Sequence, residues 1–188
     1  MEHVVRTVRA DEWPQVKELR LAALSDPVAA VAFLETYEQG VERSDAFWQE
    51  RAFNASEAGS GEVRQFAAVA PDGRWEGSVT VLIERPDAEL VFGEGVAVHQ
   101  AHVVGVFVRP EARGAGLADE LFRVAMDWAW SLAEPRIERV RLYVHEDNPR
   151  AAAFYRRIGF SPTGRTVPMP GDPSSREIEH AVEREETA

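Results

Sequence analysis

The strongest amphipathic pattern in the chain lies between residues 116 and 133. Its apolar residues recur every three or four positions and form one stripe: Leu117, Leu121, Val124 and Trp128. Charged residues occupy the opposite side, and this period predicts a long helix with one face on a core. The preceding segment 103–108 is apolar at both parities, which predicts a strand buried on both faces in the middle of a sheet.

Weaker patterns predict the remaining elements. Helices are expected with Asp11 as the first N-cap, after Ser44, and from Asn148-Pro149 to residue 158, where Gly159 would end the helix. A turn at 71–74 would join two strands into a hairpin. Loops are predicted at 85–95 and 167–175, because both segments contain Pro and Gly. Strands are predicted over 4–8, 65–70, 75–83, 96–108, 139–145, 160–166 and 176–183.

This order of elements predicts an α/β (α+β) fold in which helices pack on a mixed sheet. The 188 residues suffice for one buried core, and neither a repeat nor an interdomain linker interrupts them. We therefore expect a single domain over residues 1–183, followed by an acidic tail at 184–188.

Composition narrows the functional classes. The absence of cysteine excludes disulfides, thiolate metal ligands and a thiol nucleophile, and it favours a reducing compartment such as the cytoplasm. The formal net charge of -11 is the opposite of a nucleic-acid footprint. The chain has no apolar run of about 18 residues and no secretory leader, so no membrane partner is expected. It also lacks His, Asp and Glu at metal-ligand spacing, so no metal is expected.

The clearest chemical signal is the junction at 108–118, where the buried strand ends and the long helix begins. The first turn of a helix leaves backbone N–H groups unpaired, and the helix dipole adds positive potential there. Small residues let an anion approach this backbone, which is typical of a phosphate or pyrophosphate site. The segment is not a P-loop, because Gly-Lys-Ser/Thr is missing, and Asp119 stands where a dinucleotide fingerprint needs its third glycine.

The pattern that remains, Arg113-x-x-Gly116-x-Ala118, resembles the pyrophosphate-binding motif of the GNAT superfamily of N-acetyltransferases. A second segment, from residue 142 to 160, is similar to that family's second motif, with Asn, Ala, an aromatic pair and Gly-Phe following a strand. Two motifs in this order are much more specific than either alone. The resemblance is firm over 103–160 and looser over 4–55 and 176–183.

The resemblance implies a GNAT-like domain with a central mixed, mostly antiparallel sheet of about seven strands, about four flanking helices, and splayed fourth and fifth strands. It implies acetyl-CoA as acyl donor and an amine as acceptor. The pyrophosphate of acetyl-CoA would contact Arg113, Gly114, Ala115, Gly116, Leu117 and Ala118. The thioester of acetyl-CoA would lie along the backbone of Val106, Phe107 and Val108, and the pantetheine arm would lie near Asn148 and Ala151.

Two residues are expected to move protons. Tyr155 matches the family's acid for the departing thiolate, and a phenol with a pKa near ~10 still carries its proton at neutral pH. His102 stands where the family often has a glutamate base, and imidazole has a suitable range for that role. His99, Glu94 or water remain alternative bases.

Several assignments stay open at this level. Asn148 needs no role beyond capping its helix. The arginines Arg150, Arg156 and Arg157 fit either phosphate contacts or a solvated face. The resemblance implies that the connection at 24–42, which contains Phe33, Glu35, Tyr37 and Glu38, lines the acceptor pocket.

The alternative function is a non-catalytic acyl-CoA-binding regulatory module, in which the binding motif is kept and the acceptor chemistry is lost. A longer acyl group or a hydroxyl acceptor is a further option. The sequence leaves the choice between a monomer and a homodimer open.

Overall fold

The computed structural model describes residues 3–185, which form seven strands and six helices. The strands are β1 (Val4–Thr7), β2 (Val63–Val69), β3 (Trp75–Glu84), β4 (Gln100–Val108), β5 (Arg139–His145), β6 (Ser161–Met169) and β7 (Asp172–Glu183). The helices are α1 (Trp13–Leu24), α2 (Ala29–Ala32), α3 (Tyr37–Glu42), α4 (Asp45–Ala55), α5 (Leu117–Ser131) and α6 (Pro149–Arg157). Single 3₁₀ turns at Ala10–Glu12 and Pro110–Ala112 lead towards α1 and α5.

All strands lie in one sheet of order β1-β2-β3-β4-β5-β7-β6. Every neighbouring pair is antiparallel except β4 and β5, which run parallel. These two strands pair only at their first three positions, the last being His102 with Arg141, and beyond that point the ladder stops. This confirms the predicted mixed, mostly antiparallel sheet with a splay between its fourth and fifth strands.

The two faces of the sheet bury separate apolar clusters. Helix α5 covers one face, where Leu121 and Phe122 pack with Val81 and Val103. Helices α1 and α4 cover the other face at its β1–β3 end, with Trp48 fully buried. On β4, β5 and β7 the buried side chains include the polar residues Gln100, His102, Arg141 and Glu179.

Most predicted elements are confirmed, with ends shifted by one or two residues. The 71–74 turn joins β2 and β3 as expected. The side chain of Asn148 caps α6, since its Oδ1 accepts a hydrogen bond from the Ala151 N–H at 3.2 Å. Two short helices, α2 and α3, lie in the 24–42 connection in addition to the four longer ones.

The predicted N-cap at Asp11 is wrong. The chain first makes the 3₁₀ turn, and the Arg9 N–H donates to the Glu12 carboxylate at 2.8 Å. Helix α1 then begins at Trp13, with Pro14 in its first turn. The early Asp suggested a cap, but tertiary contacts of Glu12 with Arg6 fix the turn instead.

Two other boundaries also differ. The strand predicted from residue 96 begins at Gln100, because its partner β3 ends at Glu84, opposite Gln100. The loop predicted at 167–175 is mostly strand, since Met169 pairs with Asp172 across a two-residue turn in which Gly171 has φ +84°. Pro and Gly there mark a tight hairpin turn, not a long loop.

The end of the chain is partly described. Residues 186–188 of the predicted acidic tail lie outside the described residues. Arg184 is anchored, because its guanidinium donates to the carbonyls of Ile137 at 2.6 Å and Trp130 at 2.8 Å.

Candidate active site

A cleft of about 360 Å³ opens at the N-terminus of α5, where β4 ends. Gly114 and Gly116 adopt φ angles of +85° and +80°, a region that side-chain-bearing residues avoid. The first N–H groups of a helix have no partner within it, and the helix dipole adds positive potential at the same place. We call this feature the α5 cleft. It has the size and donors of a phosphate site.

The structure brings together half of the predicted binding residues at the α5 cleft. Those in its wall are Val108, Arg113, Gly114, Gly116, Leu117 and Ala118. The others lie outside that wall, and they are Val106, Phe107, Ala115, Asn148, Ala151 and Tyr155. An extended ligand would have to leave the cleft to reach them.

Arg113 ties the α5 cleft to the end of α1. Its Nε donates to the Val108 carbonyl at 2.9 Å, and a terminal nitrogen donates to Asp26 at 2.5 Å. Burial alone would raise the pKa of Asp26, but the Val28 N–H and Arg113 outweigh it and lower that pKa. Asp26 is therefore ionised at neutral pH, and Arg113 is held as a brace with part of its guanidinium left for a ligand.

Two of the arginines predicted as either phosphate contacts or solvated groups line the α5 cleft. Arg157 is paired with Asp119, with N–O distances of 2.7 and 3.0 Å, and its hydrogen bonds lower the pKa of that carboxyl. Arg150 lines the same wall without an ion pair among residues 3–185. It is the cation best placed to meet an anion there.

The middle of β4 has an irregular backbone beside the splay. A bulge places Gly105 and Val106 opposite the single residue Val79, and Gly105 has φ +61°. Residues 104–106 are half-buried, whereas the rest of β4 is buried. From residue 103 onward, the edge of β4 that faces β5 has no strand partner within the described range. Its backbone groups are thus available to a ligand between the strands.

His102 lies at the last paired position of β4 and is 1% exposed. Its Nδ1 is 2.8 Å from an oxygen of Glu84. Burial alone would raise the pKa of Glu84, but hydrogen bonds from His102, Arg141 and Gln100 lower it to about 2. An ionised carboxylate only accepts hydrogen bonds, so Nδ1 of His102 carries a proton and donates to Glu84. Nε2 is the ring nitrogen that this pairing leaves for another partner, and the role of His102 as the base stays a prediction.

Further charged groups surround this pair. We call the set the charged network, and it consists of Glu84, Gln100, His102, Arg139, Arg141, Tyr143 and Glu179. Arg141 is fully buried between Glu84 at 2.8 Å and Glu179 at 3.0 Å. Burial alone would raise the pKa of Glu179, but Thr163, Arg141 and Arg139 lower it. The network fixes four neighbouring strands, β3, β4, β5 and β7, around His102.

Sequence reasoning missed most of the charged network. The sequence does contain a pattern that marks these residues. Every second residue of β5 from Arg139 to Tyr143 is polar, and Glu177 and Glu179 are likewise spaced two apart on β7. Such alternation normally indicates a face open to solvent. Only the pairing of β5 with β7 shows that the two stripes face each other and are buried.

The alternative bases are placed differently from His102. His99 and Glu94 are exposed on the loop before β4. Glu94 contributes through its backbone, since its carbonyl accepts from Arg141 at 2.6 Å and its N–H donates to the Tyr143 hydroxyl at 3.3 Å. The geometry favours His102 over both.

Tyr155 lies on α6 and packs against the rings of Phe122, Phe154 and Phe160. Burial raises the pKa of its hydroxyl, so the phenol stays protonated at neutral pH. The hydroxyl therefore keeps its proton, and its role as the acid for the thiolate stays a prediction.

In the 24–42 connection, Phe33 packs against the α1–α4 cluster and lies under the Arg20 guanidinium. Glu35 pairs with Arg20 at 3.1 Å and with Arg43 at 3.5 Å. Tyr37 and Glu38 are exposed. Of the predicted acceptor-pocket residues, Phe33 and Glu35 are therefore fixed by arginines, and the other two face solvent.

Two kinds of feature are absent from the described part of the chain. None of its helices is long and apolar enough to cross a membrane. No group of three or more His, Cys, Asp or Glu residues between positions 3 and 185 is arranged to hold a metal ion.

The curated relatives match only part of the chain. Spermidine N(1)-acetyltransferase from Escherichia coli strain K12 is 32% identical over 70 residues, which are 37% of this chain and 37% of that protein. Peptidyl-lysine N-acetyltransferase YjaB from the same organism is 34% identical over 65 residues, or 35% and 39% of the two chains. The chain therefore spans well under half the length of each of these relatives.

A solved structure matches along nearly the whole chain. The spermidine N-acetyltransferase from Vibrio cholerae, solved with CoA and spermine, has a TM-score of 0.68 at 17% identity, covering 96% of this chain and 95% of that one. This similarity shows a shared fold. Residues 13–160 also match the model of one protein family. Because that model covers more than half of the 188 residues, the chain belongs to the acetyltransferase (GNAT) family.

Proposed function

We propose that the protein is an acetyl-CoA-dependent N-acetyltransferase that acts on an amine by direct transfer. The observation that carries this proposal is the pairing of two features on either side of the β4 bulge. The α5 cleft supplies phosphate donors at the end of β4, and the His102–Glu84 pair supplies an oriented base on the same strand. A binding module would need only the first of them.

The donor end of the site uses backbone groups. The N–H groups of the first turn of α5 and Arg150 would hold the pyrophosphate, with Arg113 bracing the loop. The half-buried backbone of residues 104–106 would lie along the thioester. A backbone N–H there would stabilise the carbonyl oxygen as it gains negative charge, an oxyanion-hole effect.

The acceptor end uses side chains. The amine nitrogen forms a bond to the acetyl carbon while the carbon–sulfur bond breaks. His102 Nε2 takes the proton that the amine loses, and the adjacent Glu84 carboxylate stabilises the resulting imidazolium. Tyr155 gives its proton to the departing thiolate, which leaves as the neutral thiol. His102 and Tyr155 regain their resting protonation states through solvent.

The relatives support an amine acceptor of some kind. One is named for spermidine and another for peptidyl-lysine, both of which present primary amines. These names differ in substrate class, so they do not select one for this chain. We further propose a cytoplasmic location, without a nucleic-acid or membrane partner, as the cysteine-free acidic composition favours. Light scattering on the purified protein would decide between a monomer and a homodimer.

The test is thiol release from acetyl-CoA with a panel of primary amines, in wild type and in Tyr155→Phe. The variant loses one hydroxyl that makes no internal hydrogen bond, so fold and CoA affinity should change little. We expect kcat to fall by roughly 10²-fold, the lower range for a lost general acid.

An unchanged kcat in Tyr155→Phe would remove the acid role while leaving acetyl transfer intact. Tight acetyl-CoA binding by the wild type, without turnover of any amine, would instead favour the regulatory binding module.

A further inference from the structure

The connection between β3 and β4 lies against the charged network. It spans residues 85–99, whereas hairpin loops usually have about two to five residues. A connection this long within a compact domain is often functional. Its residues 92–95 contact β5 and β6, and we call this part the strap. Two glycines in the strap have positive φ, Gly93 at +95° and Gly95 at +66°.

Main-chain groups fix the strap to the sheet. The carbonyl of Glu94 accepts a hydrogen bond from the Arg141 guanidinium at 2.6 Å, and the Glu94 N–H donates to the Tyr143 hydroxyl at 3.3 Å. The carbonyl of Gly95 accepts a hydrogen bond from Arg165 on β6 at 3.1 Å. Because these bonds join the strap to side chains of two strands, the strap has a defined position on the sheet.

The ring of Tyr143 lies between the strap and His102. Its centroid is 5.1 Å from that of Phe92 in the strap and 5.5 Å from that of the His102 imidazole. Both contacts are edge to face, with interplanar angles of 74° and 60°, an arrangement that aromatic rings prefer. Tyr143 is the second residue of β5 after Arg141, where the pairing with β4 ends. Its ring therefore stands beside the splay.

The hydroxyl of Tyr143 makes three hydrogen bonds. It accepts from the Glu94 N–H at 3.3 Å and from Arg141 at 3.1 Å, and it donates to the Glu179 carboxylate at 3.4 Å. Burial raises the pKa of Tyr143, so the single proton that the phenol can donate stays in place at neutral pH. Groups from the strap, β5 and β7 thus hold this ring in one position.

His102 is thereby held by two different contacts. The hydrogen bond from Nδ1 to Glu84, at 2.8 Å, fixes one atom of the imidazole. The χ2 torsion of a histidine has broad preferences, so a second contact is needed to fix the plane of the ring. Tyr143 supplies that contact. A group that transfers protons depends on such alignment, since misplacement by about 1 Å can lower a rate by roughly 10²-fold.

We propose that Tyr143 is a positioning residue for His102, and that the strap keeps Tyr143 in the place from which its ring fixes the imidazole plane. This inference rests on the proposed acetyltransferase function, in which His102 is the base. It adds the requirement that the strap is seated on Tyr143 when the amine loses its proton. Neither Tyr143 nor the strap lines the α5 cleft, so affinity for CoA should not depend on them.

Gly93→Ala tests the strap while leaving His102 and Glu84 intact. A Cβ added at Gly93 would lie 2.6 Å from the Tyr143 ring and hydroxyl, so the strap or the ring must move. Gly73→Ala is the matched control, because its φ is +87° but a Cβ there meets no atom within 4 Å. We expect kcat for an amine to be roughly tenfold lower in Gly93→Ala than in Gly73→Ala, with KM for acetyl-CoA unchanged.

Substitutions of Tyr143 itself separate the ring from the hydroxyl. Tyr143→Leu removes the ring, and kcat should fall by roughly tenfold while KM for acetyl-CoA stays the same. Tyr143→Phe keeps the ring contacts with Phe92 and His102 and should recover most of that loss. Equal losses of kcat in the two variants would show that the ring is not the positioning group.

NMR of the histidine rings gives a readout that needs no turnover. The chain has five histidines, and the ring signals of His102 are those that disappear in His102→Gln. We expect these signals to be alike in the wild type and Gly73→Ala. They should be shifted or broadened in Gly93→Ala and Tyr143→Leu, because the imidazole gains freedom to rotate.

Unchanged His102 signals in Gly93→Ala and Tyr143→Leu would overturn the inference whatever the rates. Changed signals with an unchanged kcat would also overturn it, because Tyr143 would then position a ring that is not the base, and acetyl transfer itself would stand. If the wild type turns over no amine, the proposed function fails, and the His102 signals alone decide whether Tyr143 and the strap fix the ring.

Discussion

The α5 cleft and the charged network lie at opposite ends of β4 and are built in opposite ways. The cleft consists largely of backbone from one continuous segment, and its shape depends on two glycines with positive φ. The network consists of side chains from four strands that are far apart in the sequence, and it buries the carboxylates of Glu84 and Glu179 and the guanidinium of Arg141. A substitution can therefore alter the α5 cleft without altering the charged network, and the reverse also holds.

This difference separates binding from stability. Backbone donors at a helix terminus are present whenever the helix is folded, and an anion there replaces water without requiring new packing. Buried charges depend on one another, because removing one leaves its partner buried and uncompensated. We therefore expect substitutions in the cleft to change mainly the affinity for CoA, and substitutions in the network to change mainly the free energy of unfolding.

Arg141→Leu should give the largest effect on stability. The change removes the cation between Glu84 and Glu179, and both carboxylates are at least nine-tenths buried. We expect the free energy of unfolding to fall by about 3–5 kcal/mol, the usual cost of breaking a buried ion pair. Urea denaturation measures it. In the fraction that remains folded, affinity for CoA should be unchanged.

The matched control for Arg141→Leu is Arg123→Leu, in which an exposed arginine of α5 loses its pairing with Asp127. That change should cost at most about 0.5 kcal/mol. Equal losses in the two variants would mean that burial of the charged network is not what makes it important for folding.

Gly116→Glu tests the expectation that substitutions in the α5 cleft change mainly the affinity for CoA. Its carboxylate would lie at the anion site, and any side chain there must adopt φ +80°. We expect CoA affinity to fall by at least roughly 10²-fold, with a modest loss of stability from backbone strain of order 1 kcal/mol. Calorimetric titration measures the affinity.

Gly73→Glu controls for that strain. Gly73 has φ +87° and lies in the β2–β3 turn, and there, as at Gly116, an added Cβ would have no atom within 4 Å. It should lose similar stability and keep its affinity. If both variants bind CoA as well as the wild type does, the phosphates bind elsewhere.

The same contrast explains what can be predicted from the sequence. The α5 cleft can be predicted from the sequence because its residues are mostly consecutive. A buried strand, a turn with glycines and an amphipathic helix follow one another there in a fixed order. The long helix α5 and the hairpin of β2 and β3 are local in the same sense. The sequence also singles out His102, but its partner Glu84 lies 18 positions away on another strand. No pattern within either strand indicates that pairing.

The errors have physical causes of the same kind. The predicted beginning of β4 is too early because Val96 and Val98 continue the apolar run, whereas the length of the strand is set by the end of its partner β3.

The last predictions concern the His102–Glu84 pair, which belongs to the charged network and is also proposed to take part in the chemistry. His102→Gln should lower kcat/KM by roughly 10²-fold near neutral pH, and the loss should shrink at high pH, where free amine is plentiful. Glu84→Gln keeps the shape of the side chain but removes the charge that stabilises the imidazolium. We expect a smaller loss, roughly tenfold, measured as the pH profile of kcat/KM with a validated amine.

Stability against pH provides an independent readout for Glu84. Its pKa is lowered from 4.5 to about 2, so the stabilisation is fully present above pH 4.5 and is lost as the pH falls through about 2. Wild type and Glu84→Gln should therefore differ by about 2–3 kcal/mol in unfolding free energy at neutral pH, and this difference should shrink between pH 4.5 and pH 2. Glu62→Gln, which alters an exposed pair with Arg85, should show no such trend. If Glu84→Gln left both the rate profile and the acid stability unchanged, the carboxylate would neither orient His102 nor hold the charged network together, and the base would have to be sought among His99, Glu94 and water.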